Sequence, residues 1–278
     1  MLLGYNTNGM AHHDPFDAIR FLADTGYQAI GITVDHGWIS HRDWKSRIDV
    51  QRLKSALTQT GLTSVIETGA RFLLDPRKKH EPTLLSSNAG LRIEFLKYCI
   101  DLAAELDSRC VSIWSGITPD GCNTHEAMET LARNLAPVLQ HAEDRNVDIG
   151  FEPEPGMLID TTGRFERLLH LIDSPRLKMT MDIGHLLCMS EVPIATYLEK
   201  FADHIVNVHI EDMVAGTHEH LMFGDGEIHF PPVIEALKRI GYEDGIYVEL
   251  SRHSHAADVV VPAAFEFLSP MLNPTPSS

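Results

Sequence analysis

The chain has 278 residues, of which 44% are hydrophobic and 22% charged, and its formal net charge is -16 at pH 7. This composition is that of an ordinary globular protein with a sizeable core, and it argues against a disordered chain. Because polyanion binding depends on Lys and Arg that neutralise phosphates, the acidic balance favours small molecules over nucleic acid as ligands.

Short β-branched or apolar runs alternate with longer amphipathic stretches along the whole chain. Each run has the length and composition of a buried strand. In chain order, the eight predicted strands are LLGYN, QAIGITVD, TSVIE, RCVSIW, VDIGFE, LKMTMD, HIVNVHI and GIYVEL. The stretches between them carry apolar residues at helical spacing, for example Leu131, Leu135 and Val138. The pattern therefore predicts a regular succession of strands and helices.

Residues at the expected helix boundaries agree with this alternation. Asp14 stands before Pro15 after the first strand, which is a common helix start. Gly26, Gly61 and Gly241 each come shortly before a predicted strand, where glycine commonly ends a helix.

The fold class follows from the strict alternation, which continues without a linker or a break in composition. Alternating strands and helices imply a parallel sheet built from βαβ units. Eight repeats fit a closed (β/α)8 TIM barrel better than an open Rossmann sheet, because the first strand-to-helix junction lacks a GxGxxG motif. We predict a single α/β domain over residues 1–270 and a flexible tail, rich in Pro and Ser, at residues 271–278.

The fifth to eighth predicted strands all end in groups of the kind that bind metal ions. The carboxyl ends of barrel strands meet at one mouth, so polar residues there are functional candidates. The four strands carry Glu152 in GFEPEPG, Asp182 in MTMDIGH, His209 in VNVHIED and Glu249 in YVEL. Their spacing is roughly that of one βα unit, about 30 residues, so the side chains are expected to meet.

Three carboxylates and one imidazole form a mostly hard, oxygen-rich ligand set. Such a set suits Mn²⁺ or Mg²⁺, and also Co²⁺ or Zn²⁺, and it does not suit copper or iron–sulfur chemistry. A single glutamate at a strand end more often caps a helix or pairs with a lysine. Four convergent groups, of which the first three have almost no adjacent Lys or Arg, are better compensated by a cation. We predict one divalent ion, with Mn²⁺ or Mg²⁺ favoured.

These motifs, together with HEHLMFGDGEIHF, resemble the xylose isomerase-like barrels, which include sugar isomerases, ketose 3-epimerases and endonuclease IV. The likeness covers most of the chain, and the spacing is most similar to that of the one-metal ketose 3-epimerases. The resemblance implies that the metal ligands are Glu152, Asp182, His209 and Glu249. It also implies that His185 contacts the substrate as a catalytic residue, and that Glu152 and Glu249 exchange protons with the sugar.

The endonuclease IV branch holds three zinc ions and adds histidines at the ends of the second to fourth strands. In this chain the third strand ends in Glu67-Thr68 and the fourth in Trp114-Ser115-Gly116, so the fourth-strand histidine is missing. After the seventh strand, His218-Glu219-His220 stands where that branch has Asp-Arg-His. A partial second set of metal ligands at residues 218–220 remains an alternative, but these departures from the pattern favour one metal ion over three.

Further substrate-binding candidates lie near the same mouth. Trp38 and Trp114 are placed to offer an apolar wall to the C–H faces of a sugar, although Trp114 also suits the interior of the barrel. Arg252 follows the eighth strand and His220 follows the seventh. We predict that these four side chains, with His185, contact the substrate.

The loop after the third strand, TGARFLLDPRKKHEPTLLSSN, is long for a strand-to-helix connection and unusually basic. It carries Arg71, Arg77 and Lys78, which would attract a phosphate or carboxylate of the substrate. We predict that residues 68–88 form a mobile lid, with Arg71 as a substrate contact. The alternative is a solvated loop whose charges only balance the acidic surface.

The predicted function is that of a divalent-metal-dependent isomerase or epimerase of a sugar, sugar phosphate or related polyol ketone. Two carboxylates would transfer the proton through a metal-bound enediolate. The alternative is a metal-dependent hydrolase or lyase of the same fold, such as an endonuclease IV-like phosphodiesterase or a sugar lyase. A barrel that binds a sugar or metal without turnover is the third candidate.

The remaining features bear on location and partners. The four cysteines form no CxxC pair, which argues against a disulfide framework and a thiolate zinc site. The N-terminal apolar run is too short for a signal peptide, and no run is long enough to span a membrane. We expect a cytoplasmic protein with a carbohydrate substrate and without nucleic-acid or membrane partners. The sequence leaves the oligomeric state open, including a homo-oligomer.

Overall fold

The computed structural model describes residues 1–38 and 49–272, and in it eight parallel strands close into a barrel. The barrel strands are β1 (Leu2–Asn6), β2 (Ala29–Thr33), β3 (Thr63–Glu67), β4 (Cys110–Ile113), β5 (Asp148–Phe151), β6 (Leu177–Asp182), β7 (Ile205–Ile210) and β10 (Gly245–Val248). Each pairs with its neighbours along the chain, and β10 closes the ring on β1, with Leu3 opposite Ile246. The predicted TIM barrel is confirmed.

The helices surround the barrel and lie between its strands. They are α1 (Pro15–Thr25), α2 (Val50–Thr60), α3 (Gly90–Leu106), α4 (Thr124–Arg145), α5 (Thr162–Leu171), α6 (Ile183–Cys188), α7 (Ile194–Lys200), α8 (Phe230–Arg239) and α9 (Ala257–Leu272). The Asp14 side chain accepts hydrogen bonds from two backbone amides of the first turn of α1. Gly26 and Gly61 end α1 and α2 in the left-handed conformation, as predicted.

The predicted strand runs differ from the observed strands only at their ends. QAIGITVD is shortened to Ala29–Thr33, and GIYVEL is shortened to Gly245–Val248. Glu152 and Glu249 therefore lie just beyond the last residues of β5 and β10, at the rim of the mouth.

The C-terminal end of the domain is helical slightly beyond the predicted boundary. Helix α9 continues to Leu272, whose side chain is buried, so the first two residues of the predicted tail belong to the helix. Residues 273–278, on which the rest of that prediction falls, lie outside the described part of the chain. Within the described residues, all four cysteines are free, and no helix is long and apolar enough to cross a bilayer.

The barrel interior changes from apolar to polar towards the mouth. Val65, Cys110 and Tyr247 belong to a small buried cluster on β3, β4 and β10. Because side chains alternate along a strand, the residue two positions beyond Val65 points the same way, and this residue is Glu67. On β10, Tyr247 is followed in the same manner by Glu249. The strand pattern thus places an apolar layer beneath a layer of carboxylates.

A close approach between the first two strands shapes one side of the mouth. Gly31 on β2 lies against the side chain of Asn6 on β1, and a Cβ at position 31 would overlap the Asn6 amide oxygen. With that room, the Asn6 amide reaches across to Glu249, with its Nδ2 3.3 Å from Oε2. The absence of a side chain at position 31 therefore helps to place a side chain of the site.

A two-stranded hairpin follows β7, and the strand predictions did not include it. It consists of β8 (Asp212–Val214) and β9 (Thr217–Leu221), which pair antiparallel. The buried carboxylate of Asp212 accepts hydrogen bonds from the backbone amides of Met213, Gly224 and Ile228. This carboxylate anchors the hairpin and the loop that follows it.

Candidate metal centre

Four side chains from successive strand ends meet at the barrel mouth, and they are the four predicted ligands. One ligand atom from each of Glu152, Asp182, His209 and Glu249 lies within 4.8 Å of the others. Nδ1 of His209 is 3.0 Å from Oε1 of Glu152 and 2.8 Å from Oε2 of Glu249. The first three residues are buried, and the Glu249 side chain is 15% exposed. The groups form a compact set that is open to the cavity on the Glu249 side.

Asp182 provides a direct test of whether a cation fits this set. Its Oδ1 accepts a hydrogen bond of 2.8 Å from the backbone amide of His185 and so caps α6. Its Oδ2 is buried, has no hydrogen-bond partner, and lies 4.0 Å from Nδ1 of His209. A buried carboxylate oxygen without a donor is costly. A cation between the four groups would compensate it, so the residues fit a metal ion.

His209 is held from behind by Glu67 at the end of β3. Oε1 of Glu67 is 2.9 Å from Nε2 of His209 and accepts a second hydrogen bond, of 3.1 Å, from Asn207. A proton on Nε2 leaves Nδ1 of His209 free to face the four-ligand point, and carboxylates commonly orient metal-binding histidines in this way. The predicted site residues do not include Glu67, although it stands at a strand end like the predicted ligands.

Two asparagines hold Glu249 in a similar manner. Nδ2 of Asn8 donates to Oε1 of Glu249 at 2.7 Å, and Nδ2 of Asn6 donates to Oε2 at 3.3 Å. Both asparagines belong to the segment at the end of β1, so the rule that strand ends meet at the mouth would have selected them. Their hydrogen bonds fix both carboxylate oxygens of Glu249.

Burial and mutual charge separate the pKa values of the groups at this centre. Burial raises the pKa of Glu152 to about 8, against the opposing effect of His209. Burial also acts to raise the pKa of Glu249, but the nearby His209 outweighs it and holds this pKa well below the ordinary value. Burial alone would lower the pKa of His209, whereas Glu67 and the two ligand glutamates raise it well above its usual range. Without a cation, the imidazole therefore carries the compensating positive charge.

His185 lies in the first turn of α6, beside the four-ligand point. Its Nδ1 is 3.1 Å from the backbone carbonyl of Pro153, and because a carbonyl only accepts, Nδ1 carries a proton. Nε2 of His185 is 3.7 Å from Oδ2 of Asp182 and 3.0 Å from Nε2 of His218. Burial lowers the pKa of His185 to about 4. The structure thus places a neutral imidazole next to the predicted ligands.

The mouth opens into a cavity of about 500 Å³, and several predicted substrate contacts line it. These residues are Arg71, Trp114, His220 and Arg252. Trp38 instead lines a neighbouring cavity of about 310 Å³, which shares Asn8, Thr33 and Arg71 with the first. The structure therefore brings four of the predicted contacts to one space and places Trp38 in an adjoining one.

The long loop after β3 forms a wall of this cavity and is tied to α3 by Arg92. The buried Arg92 guanidinium donates to the backbone carbonyls of Thr68, His80 and Pro82 at distances of 3.0, 2.8 and 2.8 Å. Arg71 donates to the backbone carbonyl of Asn8 at 2.8 Å. The loop predicted as a lid thus has buried anchors along its length, and its mobility stays a prediction.

Comparisons with known proteins agree with this architecture. The family described as "Xylose isomerase-like TIM barrel" matches residues 19–271. An inosose dehydratase of Lacticaseibacillus casei is 29% identical over 143 residues, which are 45% of this chain and 48% of that protein. The chain thus spans about half the length of that relative.

A second relative is similar over a longer stretch. The L-ribulose-5-phosphate 3-epimerase UlaE of Shigella flexneri serotype 5b is 22% identical over 255 residues, which cover 88% of this chain and 86% of that protein. Among solved structures, a D-tagatose 3-epimerase-like protein superposes with a TM-score of 0.76 at 24% identity. That superposition covers 97% of this chain and 98% of the other, and it shows a shared fold.

Proposed function

Because the chain belongs to the xylose isomerase-like TIM barrel family, we propose that it is a divalent-metal-dependent epimerase or isomerase of a sugar or related hydroxy-ketone. The observation that carries this proposal is the convergence of Glu152, Asp182, His209 and Glu249 around a buried, unpartnered oxygen of Asp182. The similarity to an L-ribulose-5-phosphate 3-epimerase over most of both chains supports it.

The four ligands would hold the cation, with Mn²⁺ or Mg²⁺ preferred by their oxygen-rich set. When bound, the ion would supply positive charge to adjacent carbonyl and hydroxyl oxygens of the substrate and make the C–H bond between them more acidic. The remaining task is proton transfer to and from that carbon.

Glu152 and Glu249 are the proposed proton-transfer pair. Their carboxylate oxygens lie 3.0 and 2.8 Å from Nδ1 of His209, and without a cation their pKa values are moved in opposite directions. Two carboxyl groups with separated pKa values suit an acid and a base at one site. Glu249, ionised and held by Asn6 and Asn8, would accept the proton, and Glu152 would return one.

The walls of the cavity suit a polyhydroxylated substrate. Trp114 is fixed between the His80 ring, 5.4 Å away edge-on, and the Arg92 guanidinium, 4.9 Å from the indole centre. Its exposed part would pack against the C–H face of a sugar. Arg71, Arg252 and His220 would donate hydrogen bonds to hydroxyl or phosphate oxygens. We propose no nucleic-acid partner, because acidic groups dominate this mouth.

A second candidate is a lyase that removes water from a keto-polyol, and the similarity to an inosose dehydratase favours it. Its first step, removal of a proton beside a carbonyl group, would use the same base. The difference comes afterwards, since the second carboxylic acid would protonate a departing hydroxyl group instead of returning a proton to carbon. An endonuclease-like hydrolysis is less well supported, since the fourth strand is followed by Trp114 and no histidine.

Solvent deuterium exchange separates these reactions. Metal-loaded protein would be incubated in D₂O with ketoses, inososes and their phosphates, and the products would be followed by NMR and mass spectrometry. An epimerase gives a new diastereomer with one deuteron on carbon, whereas a lyase gives loss of one water. Failure of every compound to exchange, lose water or change configuration would contradict both proposals.

A further inference from the structure

A second cavity adjoins the candidate site, and we propose that it binds an aromatic group that the substrate carries through an ether oxygen. This cavity has a volume of about 310 Å³ and lies beside the mouth cavity of about 500 Å³. The inference rests on the proposed function and deepens it, because the hydroxy-ketone part of the substrate would occupy the mouth. It adds a substrate class, namely hydroxy-ketones with an aryl ether substituent.

Three residues line both cavities and therefore stand where the two spaces meet. They are Asn8, Thr33 and Arg71. Nδ2 of Asn8 donates to Oε1 of Glu249 at 2.7 Å, so Asn8 contacts the proposed base and also borders the second cavity. A substrate beside Glu249 is therefore one residue away from the second cavity. We call the space between these three residues the passage.

Two side-chain oxygens of the passage lack partners in the protein. Oδ1 of Asn8 and Oγ1 of Thr33 are both buried and have no hydrogen-bond partner. The Asn8 amide is oriented by its contact with Glu249, because a carboxylate accepts from Nδ2 and leaves Oδ1 as the unpartnered acceptor. Buried polar atoms without partners are costly. A ligand with an ether oxygen and a hydroxyl group in the passage would supply an acceptor to Thr33 and a donor to Asn8.

Hydrogen bonds fix the residues of the passage. Arg71 donates to the backbone carbonyl of Asn8 at 2.8 Å, and the backbone amide of Thr33 donates to Oγ1 of Thr7 at 2.9 Å. The passage is therefore formed before a ligand binds, as is usual for small-molecule sites.

Beyond the passage, the walls of the second cavity present mostly apolar surface. They include Met10, Pro15, Ala18, Trp38 and Phe72. The Trp38 ring packs edge-on against Phe16, with ring centres 5.9 Å apart, and the Arg52 guanidinium lies 3.7 Å from the centre of the Phe16 ring. Apolar walls with a fixed indole suit a flat apolar group better than a further polyhydroxylated chain.

Phe72 is unusual among the aromatic residues, because 43% of it is exposed. Within the described part of the chain, it is the only aromatic residue among the large exposed hydrophobics. It lines the second cavity from the loop after β3. Exposed apolar surface that continues into a cavity is characteristic of ligand-binding grooves. An aromatic group bound in the second cavity would cover part of this side chain.

The volume of the second cavity limits the size of the group. An apolar cavity of about 150 Å³ is large enough to bind benzene. A space of about 310 Å³ therefore accommodates one substituted ring. The competing interpretation is a solvent-filled cleft that takes no part of the substrate.

A matched series of small ligands distinguishes these interpretations. Each ligand is a 1-hydroxy-2-ketone with one, two or three methylene groups between the carbonyl carbon and an ether oxygen that carries either phenyl or methyl. Calorimetry in excess Mg²⁺ would measure their affinities for the wild-type protein. Burial of an aromatic ring increases affinity about 10–100-fold. We expect the phenyl ether to bind more tightly than its methyl partner by this factor at the best of the three lengths.

Two variants of Phe72 locate the bound ring. Phe72→Ser removes an apolar wall and is expected to lower the phenyl-to-methyl affinity ratio about fivefold or more, whereas Phe72→Leu is expected to keep most of the ratio. The matched control, Ile117→Ser, changes an exposed hydrophobic residue that is not among the described residues of either cavity, and it is expected to leave the ratio unchanged. The Tm of each variant checks that a lost ratio does not reflect a misfolded chain.

Thr33→Val tests the passage separately from the apolar walls. The substitution keeps the shape of the side chain and removes its hydroxyl group. Both ethers carry the linking oxygen, so both are expected to bind about 2–10-fold more weakly, with their ratio unchanged. This outcome would assign the ether oxygen to the passage and the ring to the second cavity.

Equal affinities of the phenyl and methyl ethers at every length, or a ratio that Phe72→Ser leaves unchanged, would overturn the inference. The measurement follows binding and requires no turnover. Tight binding of phenyl ethers by a protein that converts no ketose would keep the inference and contradict the proposed function. A protein that exchanges the protons of simple ketoses but binds both ethers equally would do the reverse.

Discussion

Oε1 of Glu67 lies 2.9 Å from Nε2 of His209, although the two residues are 142 positions apart in the chain. This carboxylate fixes the imidazole so that Nδ1 faces the other three ligands. We therefore expect Glu67→Gln to lower metal affinity by about 10–100-fold, because the charge that supports the ligand is lost. Competition with a chelator would measure the metal affinity of each variant. Glu235→Gln, on the exposed face of α8, is the control. Equal affinity in wild type and Glu67→Gln would contradict the orienting role.

Conservative variants separate metal binding from proton transfer. Glu152→Gln and Glu249→Gln keep an oxygen ligand but cannot exchange a proton, so turnover is expected to fall by about 10²–10⁴ even with saturating metal. Asp182→Asn and His209→Gln change only ligands, so excess metal is expected to restore part of their activity. Should added metal also rescue both glutamate variants, these residues are ligands only, and His185 becomes the first candidate for the base.

Metal binding is expected to depend on pH because a proton competes for His209. The raised pKa of His209 keeps the imidazole protonated at a pH where a free histidine is neutral. A cation must displace this proton, so apparent affinity falls as the pH decreases below that raised value. Calorimetry at neutral pH in buffers of different ionisation enthalpy is expected to show about two protons released per ion, one from His209 and one from Glu152, whose pKa of about 8 leaves its carboxyl group mostly protonated. Zero proton release would contradict this picture.

Arg92 is expected to control the loop that forms the cavity wall. Arg92→Met removes the donor from the carbonyls of Thr68, His80 and Pro82, and each buried acceptor left unpaired costs about 1–3 kcal/mol. We expect a lower Tm and a higher KM than in Arg133→Met, which changes an exposed arginine of α4. If Arg92→Met has the same Tm and the same KM as wild type, the loop does not depend on these hydrogen bonds.

Anionic substrates test the basic residues of the same loop. Arg71 lines the cavity, whereas Arg77 and Lys78 are exposed. A charge-assisted hydrogen bond contributes about 1.5–3 kcal/mol, so Arg71→Ala is expected to raise KM for phosphorylated sugars roughly tenfold or more. Neutral sugars are expected to change little, and Arg77→Ala/Lys78→Ala is the matched control. If all anionic substrates bind Arg71→Ala normally, the loop charges are only surface charges.

The fold was predictable because it depends on local periodicity. Eight apolar runs with helical stretches between them specify a parallel barrel, and glycines such as Gly26 and Gly61 mark helix ends. The same barrel geometry brings Glu152, Asp182, His209 and Glu249 together, because each follows or ends a strand. Predicting that these four side chains meet requires only the rule that the carboxyl ends of the barrel strands lie at one mouth.

The strand-end rule indicates that Glu67, Asn6 and Asn8 lie at the mouth, but their partners were not predictable, because these depend on contacts between distant segments. Nothing in the spacing of Glu67 and His209 indicates that their side chains meet inside the barrel. Arg92 lies on a helix that would ordinarily carry solvated arginines, yet it is buried against a loop. The sequence THEHL of β9 lacks an apolar alternation, since His218 and His220 face polar groups, so it does not read as a strand.

Gly31 has no side chain, yet the Asn6 amide that holds Glu249 fits only because position 31 is empty. The two positions are therefore energetically dependent on each other. Alanine at position 31 is expected to harm a chain that keeps Asn6 and to be nearly neutral in a chain where position 6 is already small. Across a set of homologous sequences, this dependence predicts covariation between positions 6 and 31. A residue of the site and the glycine beside it on the next strand are therefore expected to change together.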